Sequence, residues 1–371
     1  MLSQLGRALL DRGQIERANE LSGAAGNMAR QLGDRRALFG ALICERAART
    51  GHPYAASQFS AIRRSLDEAL AAAEQIGDPK LVETALAYAI PAALEMGDRP
   101  TFESVLTRHG SNREQYESSH CAYFDTSAHA MRALLGGEFA EAERLAERAF
   151  EAGLEIYNEI AAGVYGVQMF TLRREQGRLA EVAPILRRFI DENPRDAAWR
   201  PGMALIAGDL GFHEAARKAF EDLAVGGFAF PVDAKRTLSL SYVAEVCTRL
   251  GDVERAERLY DLLLPYRDLA VIAPAVTVCC GSAARYLGML AGTLGDWAAA
   301  EEHLAAALAM DEQLQAWPWL AHTKHEFALV LIARGRARDH DRTQALLGEA
   351  AASAERIGMP ALQQKIQSLG H

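Results

Sequence analysis

The chain is poor in aromatic residues, 7% of 371, and poor in β-branched runs, which argues against a strand-rich fold. No apolar run approaches the roughly 20 residues that a membrane-spanning helix needs. The N-terminal MLSQLGRALLDRG lacks the layout of a secretory signal. A cytoplasmic chain with no membrane partner is expected. No long basic run occurs and the net charge is −9. This argues against a general phosphate-binding surface and against direct nucleic-acid binding. No Gly-Lys dipeptide exists, so a Walker A loop cannot form. G-x-S-x-G, G-x-G and H-E-x-x-H are absent as well. No catalytic residue, metal or cofactor is assigned from motifs, and neither ATP binding nor ATP hydrolysis is expected.

Cysteine is scarce too. Cys44, Cys121, Cys247, Cys279 and Cys280 make an odd count with no C-x-x-C pair. All five sit in apolar stretches read as helical, so buried thiols are expected. Adjacent side chains on a helix point apart, which disfavours a Cys279–Cys280 disulfide.

What is plentiful is alanine within a half-apolar, 24% charged composition, a mix that favours helices packed through small residues. Glycines at 97, 137, 177, 211, 251, 295 and 335 each end one helical pattern and precede another. The spacings are 40, 40, 34, 40, 44 and 40 residues. A self-similar period in this range marks a helical repeat array. The stretch Gly281–Leu308 is its clearest unit: two short helices around Gly295-Asp296, with Gly288 and Ala300 small enough to let the backbones approach. Leu287 and Leu304 fill the space beside them. Ala142, Ala216, Ala256 and Ala300 each stand five residues past a turn glycine. Val182 and Phe102 break that rule. This is the tetratricopeptide pattern. The expected fold is all-α, a tetratricopeptide-like α-solenoid of antiparallel helix pairs forming a right-handed superhelix.

In order, Leu2–Asp11 pairs with Gln14–Leu32, and Arg35–Thr50 with Ser57–Ile76 around Gly51-His52-Pro53. Lys80–Glu95 carries Pro91, which should kink it. Pro100–His109 is a short partner, followed by a polar break at Gly110–Glu114. Ser118–Leu135 and Phe139–Glu155 follow, then Glu159–Gln176 and Leu179–Asp191, ended by Asn193-Pro194. Ala197–Leu210 and His213–Ala224 lead into a loop, Val225–Asp233. Arg236–Leu250 and Val253–Leu264 lead into a second, Pro265–Pro274. After the clearest unit, Trp319–Ala333 pairs with Arg342–Ile357. The whole, residues 1–371, reads as one repeat domain, with a subdivision near 225–235 as an option and a capping helix at 360–371.

The stretches GVQMFTLRREQGRLAEVAPIL, LLLPYRD, GSAARYLGMLAGTLGDWAAAEEHLAAALAMDEQLQAWPWLAHTKHEFALVLIARG and ERIGMPAL resemble the C-terminal helical-repeat region of large bacterial ATP-binding regulators. These are the LuxR-type activators and their cyclase-linked relatives. The resemblance spans nearly the whole chain and is best from Ala161 to Leu362. It implies a sensor or scaffold array in signalling or transcriptional regulation. Such regulators carry a phosphate-binding loop ahead of the repeats, and this chain has none. A start inside a repeat at Leu2 is expected of a fragment or a shortened descendant.

In such arrays the first helix of each pair lines the concave face. Counting back from the turn glycines places Phe124, Ser127, Met131, Val167, Thr171, Arg174, Ser241, Glu245, Arg249, Ser282, Arg285, Met289, His322 and His325 there. The groove set is Met131, Arg174, Glu245, Arg249, Arg285, Met289, His322 and His325: an apolar middle with mixed-charge walls. It suits a peptide, a partner helix or a small organic effector. Arg285, read as an exposed groove residue, is the leading contact. His322 and His325 stand three apart and need a third ligand to hold a metal. Ser119-His120-Cys121 with Asp125 invites a nucleophile reading, but adjacent helical residues do not face one another. Trp317-Pro318-Trp319 is a stacking platform or, more simply, packing between repeats. A non-enzymatic interaction or sensor module leads. A pathway protein with a ligand or catalytic site in the groove, and a passive scaffold or homo-oligomer, are the alternatives.

Overall fold

The structure, a computed structural model, describes residues 5, 8–10, 14–115, 119–182, 184 and 200–369. Sixteen α-helices stand among them. They are α1 (Ile15–Leu32), α2 (Arg35–Ala48), α3 (Phe59–Ile76), α4 (Pro79–Glu95), α5 (Arg99–Gln115), α6 (Ser119–Gly136), α7 (Phe139–Glu175) and α8 (Arg200–Asp209). They continue as α9 (His213–Ala224), α10 (Arg236–Leu250), α11 (Val253–Leu263), α12 (Ala283–Thr293), α13 (Trp297–Gln313), α14 (Trp317–Arg334), α15 (His340–Ile357) and α16 (Pro360–Ser368). Sequence neighbours pack against one another along the chain, as a stacked repeat array requires. The seven turn glycines all have positive φ, between 63° and 80°. At Gly295 the following Asp296 caps α13, its side chain accepting from the Ala299 N–H at 3.1 Å.

The seam of the clearest unit is as tight as its residues suggest. A Cβ on Gly288 would lie 2.5 Å from Leu304 Cγ and 3.2 Å from the Ala300 carbonyl oxygen. Ala300 and Leu304 are fully buried there.

Helix α7 is helical throughout Phe139–Glu175, yet it cannot be straight. Residues eight apart on a straight helix are separated by about 12 Å, but a Cβ on Gly153 would meet Ala161 Cβ at 2.6 Å. Phe150 and Tyr165 stack with centroids 4.7 Å apart, and Arg173 Nη1 reaches Glu143 Oε2 at 2.9 Å. The chain doubles back between Gly153 and Ala161. The two limbs are the antiparallel pair expected there.

Three local readings change. The polar break at Gly110–Glu114 lies inside α5, where Ser111 returns its hydroxyl to the Thr107 carbonyl at 3.2 Å. A single interior glycine costs only about 1 kcal/mol against alanine. Cys279 and Cys280 belong to a strand, Cys279–Ser282, paired antiparallel with Ala270–Ile272 (β2 and β1), and not to a helix. The second loop therefore runs on to α12 as a short ribbon. The helix Leu2–Asp11 falls largely outside the described residues, as do Asn193-Pro194 and most of Leu179–Asp191. Of the last, Leu179–Glu181 forms a 3-10 turn.

That ribbon and its flanks pack against early repeats. Tyr266 donates to the Gly51 carbonyl at 2.8 Å, and the Ala56 N–H donates to Asp268 Oδ2 at 3.1 Å. Gln168 Nε2 donates to the Thr277 carbonyl at 3.1 Å, and Arg99 Nη1 to the Leu314 carbonyl at 3.0 Å. One core cluster accordingly runs from Tyr54 to Leu362. No helix among the described residues is long and apolar enough to cross a membrane.

Candidate functional site

The inner helices bring three of the predicted groove residues into one closed ring. Arg174 on α7 donates from Nε to Asp209 Oδ2 at 2.6 Å and from Nη2 to Glu245. Arg249 donates to Asp209 Oδ1 and to Glu245 Oε1, both at 2.5 Å. Burial opposes the charge on Glu245, but Arg174 and Arg249 together hold its carboxyl well below the usual range. The ring ties α7, α8 and α10 and balances two cations with two anions.

The other predicted residues are spread around it. Met131 and Met289 lie in the core. His322 donates from Nε2 to Glu175 at 2.6 Å, with burial keeping the imidazole neutral against the pull of Glu175. His325 Nδ1 stands 3.1 Å from Glu326. Each histidine is engaged by its own carboxylate through one ring nitrogen. The exposed Arg285 of the sequence reading is corrected: it is 4% exposed. Its guanidinium lies 4.4 Å from the Tyr286 ring centroid and 5.4 Å from that of Trp319. Its Nη2 donates to the Cys280 carbonyl at 3.1 Å and the Tyr286 hydroxyl at 2.5 Å. The ribbon covers it, a placement that helix periodicity does not encode. Trp319 is likewise buried and stacks on His322, so it packs between repeats and forms no open platform.

The vacant space on this face lies toward α2, α4 and the ribbon. A recess of about 190 Å³ is bounded by the end of α2 (Arg46, Thr50, Gly51, His52), α4 (Ala87, Tyr88, Pro91, Glu95), Phe124 and Thr237, and by Tyr266 and the ribbon through Val276. Phe124 was placed on the concave face from sequence, and Thr237 stands one turn before Ser241 on the same stripe. Pro91 helps shape the space. It removes the hydrogen bond that the Ala87 carbonyl would accept, and both residues line the wall.

The polar groups of the recess are only partly satisfied. Arg46 is 6% exposed. Its Nη2 donates to Glu95 Oε2 at 2.6 Å, but Nε and Nη1 have no protein partner. Tyr54 donates to the same Glu95 oxygen at 2.6 Å, and burial followed by Glu95 pushes its phenol pKa up. His52 Nε2 is buried without a partner, and burial together with the Arg236 charge lowers its pKa. Arg46 and Glu95 form an ion pair, and Arg236 stands close enough to His52 to oppose its protonation.

The ribbon wall is strained. Ala275 and Val276 both have φ of 54°, in the left-handed region. That conformation is an outlier for a β-branched residue. Each such residue costs of order 1–3 kcal/mol and persists where its surroundings over-determine it. Here Val276 is 1% exposed, and Thr277 hydrogen-bonds back to the Pro274 carbonyl. Arg46, Tyr54 and Glu95 were missed from sequence. The available signals were an arginine inside the apolar ALICERAA run and the Gly51-His52-Pro53 turn beside a proline-interrupted helix.

No known family profile and no curated protein matches this chain. Among solved structures it is similar to a circular tandem repeat protein with novel repeat topology and enhanced subunit contact surfaces. The TM-score there is 0.23 at 14% identity, over 100% of this chain and 97% of that one. It is also similar to yeast Tom70, with a TM-score of 0.31 at 12% identity, over 99% and 98% of the two chains. At those scores neither structure says anything further about this one, and the repeat fold rests on the helix pairs and turns described above.

Proposed function

We propose that this helical-repeat protein is a binding module whose inner face takes a small organic anion in the recess beside Arg46. The observation that carries this reading is that Arg46, two of whose buried guanidinium nitrogens have no protein partner, lines the recess. A buried donor without a partner costs about 1–3 kcal/mol, and a carboxylate or similar acid relieves that cost. The volume falls below the roughly 300 Å³ of a drug-sized site, which fits a metabolite-sized acid with an apolar body. His52, held neutral, offers one further polar contact. The balanced ring of Arg174, Asp209, Arg249 and Glu245 favours neither sign of ligand. Those residues, with Arg285, Met131, Met289, His322 and His325, form the frame that fixes the inner face. The likeness of the sequence to the repeat regions of bacterial regulators fits an effector-sensing role in signalling inside the cell. A second reading, a docked protein segment, draws on Phe212. It is 61% exposed beside Met203, Ile206 and Leu210 in an open apolar groove.

Titration calorimetry with a panel of short-chain monocarboxylates tests the first reading. Saturable binding of at least one acid is expected, reduced about tenfold or more in Arg46→Gln, a loss of roughly 1.5–3 kcal/mol for a charged hydrogen bond. A matched panel of amides should bind far more weakly. Equal binding by wild type and a folded Arg46→Gln variant contradicts it.

A further inference from the structure

A second cluster stands behind the recess and is independent of the reading above. Phe124, which lines the recess, packs against His109 with ring centroids 5.2 Å apart. His109 on α5, Glu83 on α4 and Cys121 on α6 bring an imidazole nitrogen, a carboxylate oxygen and a sulfur within 4.8 Å of one another. His109 and Cys121 are both 0% exposed, and Glu83 is half-buried. The His109 Nε2 has no hydrogen-bond partner, although it lies in the core. Its Nδ1 stands 3.4 Å from Asp125 Oδ1, one helical turn beyond Cys121. The other Asp125 oxygen stands 3.7 Å from His129 Nδ1.

We propose that Glu83, His109 and Cys121 form a binding site for a zinc-class divalent cation. Four features fit. With Nδ1–H donating to Asp125, the Nε2 lone pair is the free ligand atom. A carboxylate holding the far side of a ligating imidazole is the common supporting arrangement at such sites. The donor set of sulfur, nitrogen and oxygen matches a borderline-soft ion, and three protein ligands leave one position for water. The charges close: one thiolate and one carboxylate neutralise a dication, so the three ligands and the ion together carry no net charge. The geometry needs little adjustment, because ligands at 2.0–2.3 Å around a tetrahedral ion lie about 3.3–3.8 Å apart. Binding converts the Cys121 thiol to a thiolate and releases its proton to solvent. No oxidation state changes. The ion would clip α4, α5 and α6 directly behind one wall of the recess. The three ligands lie on three helices, 26 and 12 residues apart, so no short motif betrays them.

The test uses the full chain, stripped of metal and titrated with Co²⁺ and then with Zn²⁺ in competition. One ion per chain is expected, with a sulfur-to-cobalt charge-transfer band that Zn²⁺ abolishes. Zn²⁺ should also raise the melting temperature. Cys121→Ser should lose the band, and Glu83→Gln should bind about tenfold or more weakly while melting like wild type without metal. Cys247→Ser should behave as wild type. Substoichiometric binding, a band that survives in Cys121→Ser, or unchanged affinity in Glu83→Gln would each overturn the site. If Cys121→Ser fails to fold, the half-buried Glu83→Gln still decides.

Discussion

Asp311 is enclosed on every side and accepts hydrogen bonds from the Ser282 N–H at 2.8 Å and the Thr323 hydroxyl at 2.7 Å. Burial pushes its carboxyl up to about 6, although Arg285 and both donors pull the other way. The folded state thus holds a proton that the unfolded chain has released. The resulting stability is fully present below the unfolded pKa of about 4 and is lost as pH rises through about 6. Wild type should match Asp311→Asn near pH 4 and fall below it by up to about 3 kcal/mol at pH 7. Denaturant unfolding at four pH values reads this, and parallel curves for the two proteins would refute it. Arg285 carries a related expectation. Its truncation to alanine strands the Tyr286 and Trp319 rings and opens a void under the ribbon, so a loss of about 3 kcal/mol or more is expected. An unchanged melting temperature for Arg285→Ala would return the residue to the exposed groove that the sequence suggested.

At the scale of elements, the helix pairs were readable because their rules are local. A glycine ends a helix in the left-handed conformation, and a small residue five positions later permits close approach. Both statements concern neighbours in sequence. The hairpin at Gly288 and Ala300 is the sharpest case. Gly288→Ala should force Leu304 and the Ala300 backbone to move and cost about 1–3 kcal/mol. Chemical denaturation measures it, and a midpoint equal to wild type would show that the seam has slack. The β1–β2 ribbon was not readable. Its Cys279-Cys280 stretch is apolar and short, and a short apolar run suits a buried strand or a buried helix equally. Its conformation goes with a left-handed turn through Ala275 and Val276 and with a contact from outside, the Gln168 side chain on the Thr277 carbonyl.

At the scale of the whole molecule, several residues expected to line an open groove, Met131, Arg285 and Met289 among them, are buried. Periodicity says which face of a helix points inward. It does not say that a loop more than 200 residues away packs against the turn after α2, as Tyr266 and Asp268 do at Gly51 and Ala56. Long-range contacts bury much of that surface and leave the recess beside Arg46. The Arg46 guanidinium, which lines that recess, keeps two nitrogens without a protein partner. The most direct measurement is an anomalous difference map from crystals grown with a short bromo-substituted carboxylic acid. A bromine peak inside the recess, with the carboxylate within hydrogen-bond reach of Arg46 Nε or Nη1, is the expected result. A peak confined to the groove beside Phe212, or to the outer helices, with the recess holding only water, would contradict it.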